Sequence, residues 1–414
     1  MTVMLELVDA RLRELPGRLA LEWPGGSAGA PAAAVRLKLH DPRVLLSLAR
    51  GQIGQLADAY VRGSLDIEGR LEDVMSVAAE LAGDPVRQGR RALSPAWLHG
   101  LHSRLRHRPP RDAASVRSHY DLCDEFFALW LDPRRVYSCA YYGAPGMSLA
   151  EAQEAKLAHV CAKLQLQPGM RLLDVGAGWG GLLMWAAEHH GVSALGITLS
   201  EHQHAYVNRL IDARGLRGQV EMRLMDYRAL PESERFDRIA SIGMFEHVGR
   251  GQLPRYFAKL AALLRPGGLV INHGITAGGI DNRQLGAGIG DYIENHIFPG
   301  GELSHVSHVG ASLARGGLEL LDAENLRPHY ARTLWAWSDA LEARLAQARA
   351  LTDEARVRAY RMYLAGSAMS FELGWLSLYQ LLAAKPDGRL EGRGMRGAQC
   401  DYPFTRAHLY AGGR

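Results

Sequence analysis

Long apolar runs are missing from this 414-residue chain. Nothing approaches the roughly 18 residues that cross a bilayer as a helix, so no membrane-spanning helix is expected. Cysteine is scarce: Cys123, Cys139, Cys161 and Cys400 stand far apart, with no C-x-x-C. That spacing argues against a disulfide framework and against a zinc cluster, and no metal is expected. The first residues include Glu6 and Asp9 and lack the basic-then-apolar layout of a signal peptide, so cytoplasmic synthesis is expected. What is present is ordinary for a globular protein: 47% apolar and 22% charged residues, with a formal charge of only +4. The length exceeds one ordinary core, and two domains are expected.

A local absence matters more. Residues 85–111 contain no Asp or Glu but seven arginines, interleaved with Leu93, Trp97, Leu98, Leu101 and Leu105. Such a run is either a solvated linker helix with a basic face or a segment lying on an anionic bilayer, each arginine contributing about 1 kcal/mol there until salt screens it. No nucleic-acid motif accompanies the charge, so nucleic acid is not the expected partner. Pro109-Pro110 then breaks the chain. The expected organisation is an N-terminal domain over 1–108, a linker over 109–118 and a larger domain over 119–414.

In the first part, 34–40 reads as a strand, Asp41-Pro42 as a helix start, 63–69 as a turn, strand and turn, and 71–81 as an amphipathic helix. In the second, the aromatic stretch 118–127 precedes a helix over 151–164. Leu172 to Val175 is then a short apolar run ending in Gly176-Ala-Gly-Trp-Gly-Gly181, followed at once by an apolar helical pattern. Glycines there let a ligand lie on the backbone amides at a helix N-terminus, which suits a nucleotide-like cofactor. Further strands (193–197, 220–225, 239–244, 269–272) alternate with helices (201–213, 253–264), the pattern of a doubly wound α/β sheet with helices on both faces. Ligands sit at the carboxyl ends of such strands; here those ends carry Thr198, Ser200, Asp226, Tyr227, Glu246 and His273. The glycine-rich insertion 278–308 is long enough to suggest a lid, and 335–384 reads as helical and apolar-faced.

Gly176-x-Gly-x-x-Gly181 fits a dinucleotide fingerprint, but that fingerprint wants an acid at the end of the next strand. Gly196-Ile-Thr-Leu-Ser200 offers none. Leu264-Arg-Pro-Gly-Gly268 is instead the turn before the fifth strand of class I methyltransferases, which this order of motifs resembles, and Asp226 stands where such enzymes place an acid near the adenine amine. S-adenosylmethionine is the favoured cofactor.

Tyr137-Ser-Cys-Ala140, Asp174-Val-Gly-Ala-Gly-Trp-Gly180, Gly196-Ile-Thr-Leu-Ser200 with Gln203, Asp226-Tyr-Arg228, Gly243-Met-Phe-Glu-His-Val-Gly249, His273-Gly-Ile275, Phe298-Pro-Gly-Gly301 and Tyr330-Ala-Arg-Thr-Leu334 occur in that order. As an ordered set over nearly the whole chain, they resemble the cyclopropane fatty acid synthase family. The resemblance implies a Rossmann-like class I methyltransferase sheet plus a small N-terminal α+β lipid-binding domain. It also implies transfer of a methylene unit from S-adenosylmethionine to the cis double bond of unsaturated phospholipid acyl chains through a carbocation. Bound bicarbonate would accept the proton, held at Cys139, Glu246, His273, the Ile275 amide and Tyr330. Tyr137, Ser138, Gly176, Gly178, Trp179, Gly180, Thr198, Ser200, Gln203, Asp226 and Tyr227 would hold the cofactor. A homodimer attached peripherally to the inner face of the membrane is implied as well. The chain departs from the family pattern at Ala177, Cys123-Asp124, Arg134-Arg135 and Ser304-His305. Methyl-branched or methylene products, another C-methyltransfer acceptor, and a lipid-binding module without activity remain alternatives.

Overall fold

Alternating burial along Val35, Leu37 and Leu39 makes one face of a short strand apolar, and the first structural unit is built on it. The computed structural model describes residues 2–88, 124–387, 402–403 and 405–410. The arginines from 90 to 111, Tyr120, Cys123, Cys400 and the expected boundary at 108 to 118 lie outside the described residues. Helix α1 (Thr2–Glu14) leads into strands β1 (Leu19–Trp23), β2 (Gly26–Gly29) and β3 (Val35–Leu39). Then come α2 (Val44–Ala49), α3 (Ile53–Val61), β4 (Leu65–Glu68) and α4 (Leu71–Ala82). The four strands pair in the order β2-β1-β3-β4. Helix α4 carries Glu72 and Asp73 in its first turn, where they complement the helix dipole. It buries Leu71, Val74, Val77 and Leu81 and stops at Gly83, whose φ of 67° favours glycine.

Helix α5 (Leu149–Lys163) opens the second unit with a reciprocal capping box between Ser148 and Glu151. There follow β5 (Arg171–Val175), α6 (Gly181–His190), β6 (Ser193–Thr198), α7 (Glu201–Ala213), β7 (Val220–Leu224), β8 (Phe236–Ile242), α8 (Leu253–Leu263) and β9 (Leu264–Ala277). The chain continues through α9 (Ile289–His296), α10 (Val306–Arg315), β10 (Glu319–Asn325), α11 (Arg327–Glu342), α12 (Glu354–Glu372) and β11 (Leu376–Ala384). The seven strands order as β10-β11-β9-β8-β5-β6-β7. Five of them, β5 to β9, run parallel, and apolar clusters cover both faces of the sheet.

Two expectations are corrected here. The stretch 335–384 is not helical throughout: α12 ends at Glu372, Gly374 takes a φ of 72°, and the chain returns as β11, antiparallel to β9 and β10. A Leu- and Ala-rich run reads as helix, but when buried in mid-sheet it serves as a strand. The helix expected from Asp41-Pro42 begins at Val44.

The two units meet through backbone. The Gly54 N–H of α3 donates to the Ala287 carbonyl at 2.9 Å, and the Gly286 N–H donates to Pro85 at 2.9 Å. A β-carbon at Gly54 would lie 2.0 Å from the Gly288 carbonyl oxygen, so only glycine permits this approach. Around that seam His296 pairs with Asp58 at 2.8 Å, and Arg358 of α12 pairs with Asp66 at 2.9 Å.

Candidate active site

Strand β5 ends at Val175 in the turn that leads to α6. Gly176, Gly178 and Gly180 all take positive φ there, and a β-carbon at Gly178 would meet nothing within 4 Å. The loop therefore offers bare backbone amides beside open space at a helix N-terminus, as a nucleotide-like cofactor requires. At the end of neighbouring β6, Thr198 Oγ1 donates to Gln203 Oε1 at 2.8 Å and accepts the Ser200 N–H at 3.1 Å. Ser200 caps α7 by accepting the Gln203 N–H at 3.3 Å. Thr198, Ser200 and Gln203 thus form one buried polar corner beside the cradle. Trp179 is buried edge-on to Tyr206, with the Arg135 guanidinium over its ring at 5.5 Å.

Two residues expected at the cofactor, Asp226 and Tyr227, follow the end of β7. The Asp226 carboxylate accepts the backbone N–H, Nε and Nη2 of Arg228 at 2.6 to 2.9 Å. Tyr227 is buried with its ring edge-on to Tyr256 at 5.0 Å. The strand end is where the sequence places it.

Helix α5 holds the segment Tyr137-Ser138-Cys139 from below. Gln153 Nε2 donates to the Val136 and Ser138 carbonyls at 3.2 and 2.8 Å, and Lys156 Nζ donates to the Ser138 hydroxyl at 3.0 Å. From α11, Thr333 Oγ1 accepts the Ala140 N–H at 3.1 Å. Lys156 is almost wholly buried; desolvation pulls its ammonium down to about 8, against the opposing charges of Asp132 and Asp174. Desolvation likewise pushes Asp174, at the end of β5, up to about 7. Burial raises the Cys139 thiol so far that it stays protonated, and its Sγ–H donates to the Ala140 carbonyl at 3.2 Å. Neither Gln153 nor Lys156 stood out in the sequence, although buried polar residues three apart on a helix share one face.

The reacting groups gather where β8 and β9 end side by side. Ile242 pairs with His273, and the Gly243 N–H donates to the His273 carbonyl at 2.8 Å. Just past β8, Glu246 lies in a short turn and accepts the Ile275 N–H through Oε1 at 2.7 Å. The Ile275 amide, expected to hold bicarbonate, orients Glu246 in this structure. Gly274 makes the approach possible, since a β-carbon there would lie 2.7 Å from that oxygen. Burial raises the Glu246 carboxyl to about 7, the Ile275 bond acting in the opposite direction. Oε2 of Glu246 is buried without a hydrogen-bond partner.

Opposite His273 on antiparallel β11 stands Gln380, a buried polar residue in an apolar strand. Its Nε2 faces His273 Nδ1 at 3.1 Å, and this amide orientation assigns the ring proton to Nε2. His273 Nε2 also has no partner, and burial, followed by the charge of Lys156, holds the ring neutral, well below the ordinary histidine range. Tyr330, in the first turns of α11, packs on Phe371 at 4.7 Å. Tyr137 donates to the Tyr363 hydroxyl at 3.3 Å, within a cluster of Phe127, Trp130 and Trp337 rings.

Tyr137, Ser138, Cys139, Glu246, His273, Ile275 and Tyr330 line a single cavity of about 1040 Å³. Its walls are mostly apolar and include residues of the first structural unit. The insertion 278–308 forms another wall, tied to the site where the Glu302 N–H donates to the Glu246 carbonyl at 3.1 Å. Among the described residues no group of His, Cys, Asp and Glu could hold a metal ion, and no helix is long and apolar enough to cross a membrane.

Comparison with known proteins agrees with this geometry. Residues 107–381 match the family described as mycolic acid cyclopropane synthetase. A probable fatty acid methyltransferase of Pseudomonas putida is 41% identical over 399 residues, covering 96% of both chains. Cyclopropane mycolic acid synthase 1 of Mycobacterium tuberculosis is 39% identical over 283 residues, 66% of this chain and 97% of that one. The crystal structure of mycolic acid cyclopropane synthase CmaA1 complexed with SAH and CTAB is 38% identical, with a TM-score of 0.62 over 66% of this chain and 98% of that chain. This chain belongs to the mycolic acid cyclopropane synthetase family and is an S-adenosylmethionine-dependent methyltransferase.

Proposed function

We propose that the protein modifies fatty acyl chains, building a cyclopropane ring at the cis double bond of an unsaturated phospholipid. The observation that carries this reading is the pairing of two unpartnered buried atoms, Glu246 Oε2 and His273 Nε2, with a large apolar cavity. Unmet polar groups at such depth cost about 1–3 kcal/mol each and suit a small polar species in a greasy site. The relatives, a probable fatty acid methyltransferase and a cyclopropane mycolic acid synthase, point the same way.

S-adenosylmethionine, when bound, supplies an electrophilic methyl group. Residues that would hold it are Gly176, Gly178 and the Thr198–Ser200–Gln203 corner, with Tyr137 and Ser138 at the cavity side. The apolar walls exclude water, which would otherwise quench a carbocation formed on the acyl chain. Removing a proton from the delivered carbon closes the ring, and a strong side-chain base there would itself risk alkylation. Bicarbonate fits the donor set as that acceptor: His273 presents Nε2–H, Glu246 Oε2 accepts a proton at a carboxyl poised near neutrality, and Tyr330 and Cys139 line the same space.

The test is to incubate the protein and S-adenosylmethionine with liposomes of cis-unsaturated phospholipid. The expected product is an acyl chain heavier by one methylene that takes up no hydrogen under mild hydrogenation. Retained unsaturation with added mass would indicate methylene or unsaturated methylated products, and no added mass on any lipid would refute the acyl reading. Attachment to the bilayer rests on the basic run that begins at Arg87. Reversing those charges should weaken binding to anionic vesicles, and unchanged binding would remove that role. Homodimerisation is part of the same proposal and is read by sedimentation.

A further inference from the structure

The cavity that holds Glu246, His273 and Tyr330 does not end in the methyltransferase unit. It continues into the four-stranded unit, where Leu37, Leu65, Val74, Val77 and Leu81 line it. Each of these is at most 6% exposed, and every described residue of this unit that lines the cavity is apolar, Ile53, Ala57, Ile67, Ala78 and Val86 among them being partly exposed. The opposite character appears at Arg250, Asp281, Arg283 and Glu302, which line the cavity as well. Asp281 and Arg283 are exposed and ion-paired at 2.6 Å, and the Arg250 N–H donates to Glu302 at 2.8 Å. One cavity therefore has a polar, solvent-reaching lip and a wholly apolar portion. The residues named for the apolar portion all precede residue 107, where the match to the family begins.

An acyl chain with its double bond at the reaction centre has two arms to accommodate. One bears the carboxyl and headgroup; the other ends in a methyl. Burying a charged or hydrogen-bonding headgroup among Leu65, Val77 and Leu81 would strip it of water with nothing in return. The methyl arm loses nothing there. Resting on the acyl-chain reading above, we propose that the apolar wall formed by β3, β4 and α4 receives the methyl arm and limits its length. The N-terminal unit thereby selects substrates by the number of carbons beyond the double bond. The seam at Gly54 and Gly288 keeps that wall in register with the reaction centre, since the two backbones leave no room to slide.

The test uses the full chain with S-adenosylmethionine and vesicles of paired phospholipids. Their double bonds lie at one distance from the carboxyl, but their methyl arms differ by two to six carbons. Competition between members of a pair gives a ratio of kcat/KM for long over short arms. One methylene in a fitted apolar pocket is worth roughly tenfold or more in discrimination. Val77→Phe, which fills the apolar portion, should shift the ratio at least about tenfold toward short arms; Leu81→Ala, which enlarges it, should shift the ratio several-fold toward long arms. Cofactor affinity should stay at the wild-type value in both, because the glycine cradle lies on another strand end. If the bulky variant fails to fold, the smaller one still decides. A folded variant with the wild-type ratio overturns the inference while leaving acyl modification standing. A wild-type protein that modifies no lipid removes the underlying reading instead, and this inference with it.

Discussion

Replacing Gly274 by alanine should disable the protein without replacing any group that reacts. Gly274 lies between His273 and Ile275 on β9, and an added β-carbon would sit 2.2 Å from the Phe245 ring and 2.7 Å from Glu246 Oε1. Ordinary contact begins at 3.4 Å, so the carboxylate must retreat by about 0.7 Å. That retreat strains the 2.7 Å bond from the Ile275 amide, which alone fixes Oε1 among the hydrogen bonds to this side chain described above. Misplacing a reacting group by about 1 Å costs on the order of a hundredfold, so kcat should fall ten- to a hundredfold, or about 1.4–2.7 kcal/mol. Overpacking adds a stability loss of about 1–3 kcal/mol, read as a fall of several degrees in Tm. The double variant Gly274→Ala/Phe245→Leu relieves the ring clash but not the carboxylate clash, so Tm should recover while kcat should not. Steady-state methyl transfer to liposomes, thermal melts and calorimetric cofactor binding separate these effects. Wild-type kcat in folded Gly274→Ala would refute the role given to the Ile275–Glu246 bond.

Three further outcomes follow from the same geometry. Glu246 has its carboxyl raised from the usual range to about 7, so folding favours the protonated form and its contribution is lost as pH rises through 4.5 to 7. Glu246→Gln should therefore be inactive yet more stable than wild type at pH 8, by roughly 3 kcal/mol, and equal to it near pH 4; a variant less stable at pH 8 contradicts the burial argument. Gln380→Leu leaves His273 Nδ1 without its donor and frees the ring proton to change nitrogen, so kcat should drop about tenfold with cofactor affinity intact; unchanged kcat would show that the tautomer is immaterial. For Lys156, depressed to about 8, the unfolded chain keeps a proton that the folded one sheds between pH 8 and 10.5, so this group makes stability rise across that window. Lys156→Met should abolish that rise in pH-dependent melts, and persistence of the slope would assign it to another group.

The parts of this site that were legible in the sequence are those made by neighbours in the chain. Gly176, Gly178 and Gly180 must turn within a few residues whatever else the fold does, and Ser200 and Gln203 sit three apart as a helix cap demands. His273 and Glu246 could be assigned to adjoining strand ends because βα alternation orders the parallel strands. Gln380 could not be found that way: it stands 107 residues from His273 and meets it only through the antiparallel register of β11. Its strand was hidden because Leu376 to Ala384 is a buried run without alternation. The bonds of the Ile275 amide to Glu246 and of Asp226 to Arg228 were hidden for a different reason: a polar group's partner is decided by side chains arriving from nearby turns. Lys156 and Gln153 were passed over because a helix face has no sign in the sequence saying which loop it will support.

The apolar portion of the cavity carries a consequence for how turnover ends. A modified chain lodged there must leave its apolar walls before the next can enter. Moving each methylene from an apolar wall into water costs about 0.8 kcal/mol, which slows escape by up to about fourfold per carbon. Moving it into another apolar phase costs almost nothing. On dispersed, monomeric lipid the protein should complete one round and then stall with its product lodged, and adding vesicles of saturated lipid should restart it. The bilayer would then act less as a supply of substrate than as the sink that lets each finished chain go.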